Sequence, residues 1–149
     1  MPRTIQRIVL VTSAILVTSL VLADLDPRYQ RHEVMEGVGD AAKPVGRMIR
    51  GDESFDVDIL NSSLEVFQEA AAEFGSLFPA GTETGAETLA APAIWEDRDG
   101  FDQALAQFRS AVEDAIEENP DNLEDAKRVM GPVFNACKNC HDSYRLEKD

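Results

Sequence analysis

Cysteine and histidine are scarce in this 149-residue chain, two of each, and the scarcity excludes much. Two cysteines cannot build a disulfide framework. Basic residues are outnumbered, 14 Lys plus Arg against 28 Asp plus Glu, for a net charge of −14. So acidic a chain is no partner for nucleic acid or for an anionic membrane surface. A protein that docks by charge should be basic, and its attraction should weaken with salt. No stretch of useful length alternates apolar and polar residues, which argues against strands. There is no Ser-His-Asp set, no phosphate loop and no carboxylate pair with E-x-x-H spacing. That argues against a hydrolase, a kinase or a di-iron enzyme, and the chain is not expected to be an enzyme.

The longest apolar run lies at the start. Arg3 and Arg7 precede Ile8 to Leu22, followed by Ala23, Asp24 and Pro27. Fifteen residues fall short of the roughly 20 needed to span a bilayer. A charged start, a short apolar stretch and a small residue at its end read as a cleaved secretory signal, residues 1–23. The mature part, 24–149, is the length of one domain. Its charge is −16, because the signal holds two arginines and no acid. Export to a bacterial periplasm or an equivalent space is the expectation.

Four stretches of the mature part repeat apolar residues at steps of three and four, which places each set on one helical face. The first reads Val34, Val38, Ala41, Val45, Met48, with Asp26 as cap, Pro27 at the first helical position and Gly51 at the end. The second runs from a cap at Asp56 through Leu60, Leu64, Phe67, Ala71, Phe74 and Phe78 to a stop at Pro79. The third reads Phe101, Leu105, Phe108, Val112, Ala115, with Pro120 beyond it. The fourth reads Leu123, Ala126, Met130, Val133, Cys137, Cys140, Tyr144, with Asp121 as cap and Glu124 three residues on. The predicted fold is all-α, an antiparallel up-and-down four-helix bundle. Its second connection, Pro79 to Asp97, is long, and Trp95 within it should fold back onto the bundle end. Pro44 and Pro132 fall inside predicted helices, where local kinks are expected.

The strongest local signal is Cys137-Lys138-Asn139-Cys140-His141. C-x-x-C-H is the attachment motif of c-type haem. Positions three apart on a helix share nearly one face, so two thiols there can each form a thioether with one haem vinyl group. The next residue, His141, then offers a neutral imidazole to the iron. Other chemistries fit less well. A redox C-x-x-C expects a βαβ context, and a disulfide between these cysteines on a helix would be strained. Zinc held by Cys137, Cys140, His141 and His32 has suitable ligand types but matches no common zinc spacing. A haem-free metal-binding or scaffold bundle therefore stands as an alternative.

A motif near the C-terminus on a four-helix pattern resembles the class II c-type cytochromes, chiefly cytochrome c′. The matching residues are Arg31-x-x-x-Met35, Ile94-Trp95-Glu96-Asp97 and Cys137 through Arg145. The likeness covers nearly all of Asp24 to Lys148. It implies one covalently attached haem c and a homodimer through the first two helices, for which Val57 and Ile49 are candidates. It also implies that Arg31 contacts a haem propionate, Met35 takes the distal position and Arg145 lies beside the proximal imidazole, weakening its donation to iron. The plainer reading of Arg31 is an exposed cation paired with an acid such as Asp26. Met130, Phe134 and Trp95 are candidates for the pocket or for ordinary core, and His32 for a solvated surface residue rather than a second axial ligand.

Two outcomes follow for Met35. In cytochrome c′ an apolar side chain there covers a five-coordinate, high-spin iron without bonding it. In low-spin relatives a methionine at or near this place ligates the iron, which makes a plain electron carrier. The resemblance favours the first, with electron transfer and binding of the neutral gases NO and CO. Iron-bound dioxygen would need a distal hydrogen-bond donor, and none is assignable beside Met35.

Overall fold

The computed structural model describes residues 26–85 and 88–147. The expected secretory signal, residues 1–23, lies outside the described residues. Four long helices make the bundle: α1 (Pro27–Arg50), α2 (Val57–Glu73), α4 (Arg98–Glu118) and α5 (Leu123–Tyr144). A short helix, α3 (Ala93–Glu96), stands before α4. No strand occurs among the described residues. α1 packs on α2, α2 on α4 and α4 on α5, while α1 and α5 touch more sparingly.

The helix boundaries follow from local chemistry. Asp26 caps α1 by accepting the Arg28 N–H at 2.9 Å, and Pro27 opens the helix with no donor to waste. Gly51 closes α1 at φ 83°, a left-handed conformation natural to glycine. Asp56 caps α2 through the N–H groups of Asp58 and Ile59, at 2.9 and 3.1 Å. α1 and α5 continue through Pro44 and Pro132 as unbroken helices. Two boundaries differ from the sequence reading. Asn122, not Asp121, caps α5, because Asn122 is the extended residue and its Oδ1 accepts the Asp125 N–H at 3.0 Å. And α2 stops at Glu73, giving way to a 3-10 turn over Phe74–Leu77 that swings Phe78 away from the α2 stripe.

The interior has two parts. The larger cluster runs along the bundle and includes Val45, Met48, Leu60, Phe67, Val112, Met130 and Val133, each at most 2 % exposed. Burying each of the larger side chains is worth about 1.5–3 kcal/mol. A second cluster lies at one end, where Phe78, Ile94 and Phe101 are buried against Trp95, Leu105 and Tyr144. Trp95 does fold back onto the bundle, its ring centroid 5.7 Å from that of Phe78.

The α1 cap carries a pH dependence. Hydrogen bonds from the Arg28 side chain and backbone hold the Asp26 carboxyl down at about 2. A depressed carboxyl stabilises the fold above its unfolded pKa of roughly 3.9, and that contribution disappears as pH falls toward 2. Asp26→Asn, which still caps but cannot pair with Arg28 as an anion, should be less stable than the parent above pH 5 and should lose this dependence, so that the two acid-unfolding curves converge as pH falls toward 2. An unaltered curve below pH 4 would rule it out.

Candidate functional site

Cys137, Cys140 and His141 occupy the last two turns of α5. Both cysteines are half-buried free thiols. Burial, and to a lesser degree Cys140, pushes the Cys137 thiol up to about 11, and burial also raises Cys140. Both are therefore neutral thiols near pH 7. His141 is exposed, with its Nδ1 3.4 Å from Arg145 Nη1. Partial desolvation, then the Arg145 guanidinium, lowers the His141 pKa against an opposing pull from Asp142. The imidazole stays neutral, the form that ligates a metal.

Arg31 contradicts the picture of an exposed cation paired with Asp26. It is 5 % exposed, and Asp26 pairs with Arg28 instead, at 2.6 Å. Arg31 Nε donates to Leu77 O at 2.7 Å, Nη1 to Thr82 O at 3.0 Å, and Nη2 to Thr82 Oγ1. The guanidinium also lies over the rings of Phe78 and Trp95, 4.2 and 5.2 Å from their centroids. These bonds use three of its five N–H donors. Beside it, Trp95 Nε1 is buried with no hydrogen-bond partner. Such an orphan costs about 1–3 kcal/mol and calls for a reason. A buried cation with spare donors next to an unused indole N–H is a set that suits a carboxylate. Haem brings two, so the residues present fit that group.

Met35, one turn beyond Arg31, is half-buried and belongs to neither core cluster. On its side of α1 the chain continues as Val38 and Gly39, which offer no polar side chain. Met130 is fully buried core, and Phe134 packs part-buried against the larger cluster. His32 is exposed, 3.9 Å from Glu36. The zinc alternative fails here: among the described residues no three His, Cys, Asp or Glu side chains gather around a point fit for a metal, so His32 does not join the α5 motif. Of the candidates for a dimer face, Ile49 is half-buried against the larger cluster and Val57 is exposed.

Sequence reasoning missed the acceptors of Arg31, two backbone carbonyls and the Thr82 hydroxyl, about 50 positions away. It also missed the bond from the Tyr144 hydroxyl to Asp97 Oδ2, at 3.1 Å. A signal for that bond was present in Gly100, a glycine in the first turn of a helix.

Known proteins share both the sequence and this architecture. A family model described as Cytochrome C' matches residues 26–145. Cytochrome c′ of Rhodopseudomonas palustris is 33% identical over 134 residues, covering 90% of this chain and 91% of that protein. Cytochrome c-556 of the same organism is 29% identical, covering 93% of this chain and 96% of its own. The solved structure of R. palustris cytochrome c′ superposes with a TM-score of 0.79 at 33% identity, over 83% of this chain and 98% of that one. With a matching bundle, a family model over residues 26–145 and relatives over nearly its whole length, the chain belongs to the cytochrome c′ family of c-type haem proteins with covalently attached haem.

Proposed function

We propose that this chain is an exported electron-transfer and gas-binding protein, not an enzyme, whose five-coordinate, high-spin haem iron takes NO and CO on the Met35 side. The observation that carries this reading is the setting of Met35: half-buried, outside both core clusters, and followed one turn on by Val38 and Gly39, which have no polar side chain. Met35, Val38 and Gly39 carry no hydrogen-bond donor, which suits small neutral gases and does little for bound dioxygen, which develops negative charge.

Bound haem supplies one-electron chemistry and an open coordination position. Cys137 and Cys140, neutral thiols on one face of α5, would hold it covalently. His141 would ligate the iron through the ring nitrogen not facing Arg145. Arg145 carries donors only, so it cannot accept the Nδ1 proton and the imidazole stays a modest electron donor. Arg31 and the orphaned Trp95 N–H receive a propionate. A periplasmic location agrees with the expected signal at residues 1–23 and with the absence, among the described residues, of any helix long and apolar enough to cross a membrane. A homodimer through α1 and α2 has exposed apolar residues to use in Val57 and Ile59. Basic redox proteins are the partners that the net charge of −14 favours.

Absorption spectra of the ferric and ferrous protein, matured in a host that attaches c-type haem, test the reading. A high-spin c-type spectrum that changes with carbon monoxide is expected. A low-spin spectrum indifferent to carbon monoxide would put the Met35 sulfur on the iron and make the protein a plain electron carrier.

A further inference from the structure

The end of α5 that bears His141 is fastened to the rest of the molecule in an unusual amount of detail. Tyr144, one turn beyond His141, donates its hydroxyl to Asp97 Oδ2 at 3.1 Å. Asp97 is also the cap of α4, and its Oδ1 accepts the Gly100 N–H at 3.2 Å. One carboxylate thus serves the start of α4 and the end of α5 together. The Tyr144 ring meets Phe101 edge-on, with centroids 5.4 Å apart. Its backbone oxygen accepts the Ala91 N–H at 3.0 Å, and Leu146 N–H donates to Leu89 O at 2.8 Å.

Gly100 explains how the bond fits. A glycine inside a helix costs about 0.5–1 kcal/mol relative to alanine. Here a Cβ would overlap Asp97 Oδ2 and lie 2.5 Å from the Tyr144 hydroxyl. The glycine is spent on room for two oxygen atoms.

A surface bond at a helix end fastens structure anywhere; this one fastens the turn that carries the axial ligand. His141 and Tyr144 are three residues apart, so they sit on adjoining turns of one rigid helix and rotate together. We propose that the Asp97–Tyr144 bond, made possible by the missing side chain at Gly100, is a positioning device that fixes the rotation of the last turn of α5 and thereby the orientation of the His141 imidazole. The proposal rests on the reading of His141 as the axial ligand. Tyr144 and Asp97 are positioning residues, acting on the iron only through α5.

The test uses the mature haem-loaded protein and two variants. Tyr144→Phe keeps the ring against Phe101 and removes the hydroxyl. Gly100→Ala keeps the hydroxyl and closes the space it uses. The readout is the electron paramagnetic resonance signal of the ferric protein, which reports the orientation of the axial imidazole in either spin state, together with the thermal midpoint. Full covalent haem in all three proteins is expected, with a single narrow signal in the parent and a broadened or split signal in both variants. A Tyr144→Phe signal identical to the parent's, even with a lowered thermal midpoint, would overturn the proposal and leave the bond as a fastener only. A parent without covalent haem would instead refute the haem reading, and the proposal with it.

Discussion

Alanine at both Cys137 and Cys140 leaves a folded chain with no covalently bound haem. The reason is chemical: each thioether needs a sulfur, and the described residues hold no other cysteine. The fold should survive, because Cys137 packs only part-buried at the edge of the larger cluster and the helix needs neither thiol. The mass of the mature variant should equal that of the polypeptide alone, with no haem staining on a denaturing gel, while circular dichroism stays helical. A single-cysteine variant should retain at most one bond and lose haem under harsher denaturation. Haem attached as fully as in the parent after both changes would remove the motif from the mechanism altogether.

The second large effect is on stability. Phe101 is 1 % exposed and joins the two sides of the end cluster, with ring centroids 4.9 Å from Phe78 and 5.4 Å from Tyr144. Phe101→Ala should cost about 3–5 kcal/mol, since it removes a buried ring and leaves a cavity between rigid neighbours. That is a large part of the 5–15 kcal/mol typical of a whole domain. Phe101→Leu, which fills most of the space, should cost clearly less. Urea unfolding of parent and variants measures both. A Phe101→Ala loss below about 1 kcal/mol would mean that the end cluster collapses around the gap, contrary to its close ring packing.

The four helices were legible because burial imposes a period on the chain. Of the residues read as the α4 stripe, Phe101, Phe108, Val112 and Ala115 are buried and Leu105 is half-buried. Caps were legible where one good capping residue stood alone, as at Asp26 and Asp56. Asp121 and Asn122 are neighbours of nearly equal capping strength, and only the extended backbone at Asn122 decides between them. Phe78 continued the three-and-four rhythm of α2, so the break into a 3-10 turn was invisible; its partners Ile94, Phe101 and Trp95 come from far along the chain. The C-x-x-C-H motif is local and could be read directly. What surrounds it could not, since Arg31 meets Thr82 across 51 positions and Tyr144 meets Asp97 across 47. Long-range polar bonds leave no rhythm in a sequence.

The connection between α2 and α3 looks like a liability, because long segments without regular structure are uncommon inside compact domains. Its attachments change that. Arg31 grips it at Leu77 and Thr82, Arg28 at Thr84 through a 2.6 Å bond, and the tail of α5 holds it again at Leu89 and Ala91. Closure entropy grows only with the logarithm of the free length, and each attachment shortens that length. The crossing is thus a series of short spans, each anchored to the helix on either side. Two of its anchors, Arg28 and Arg31, sit on the first turns of α1, so the start of the bundle orders a segment that is made much later.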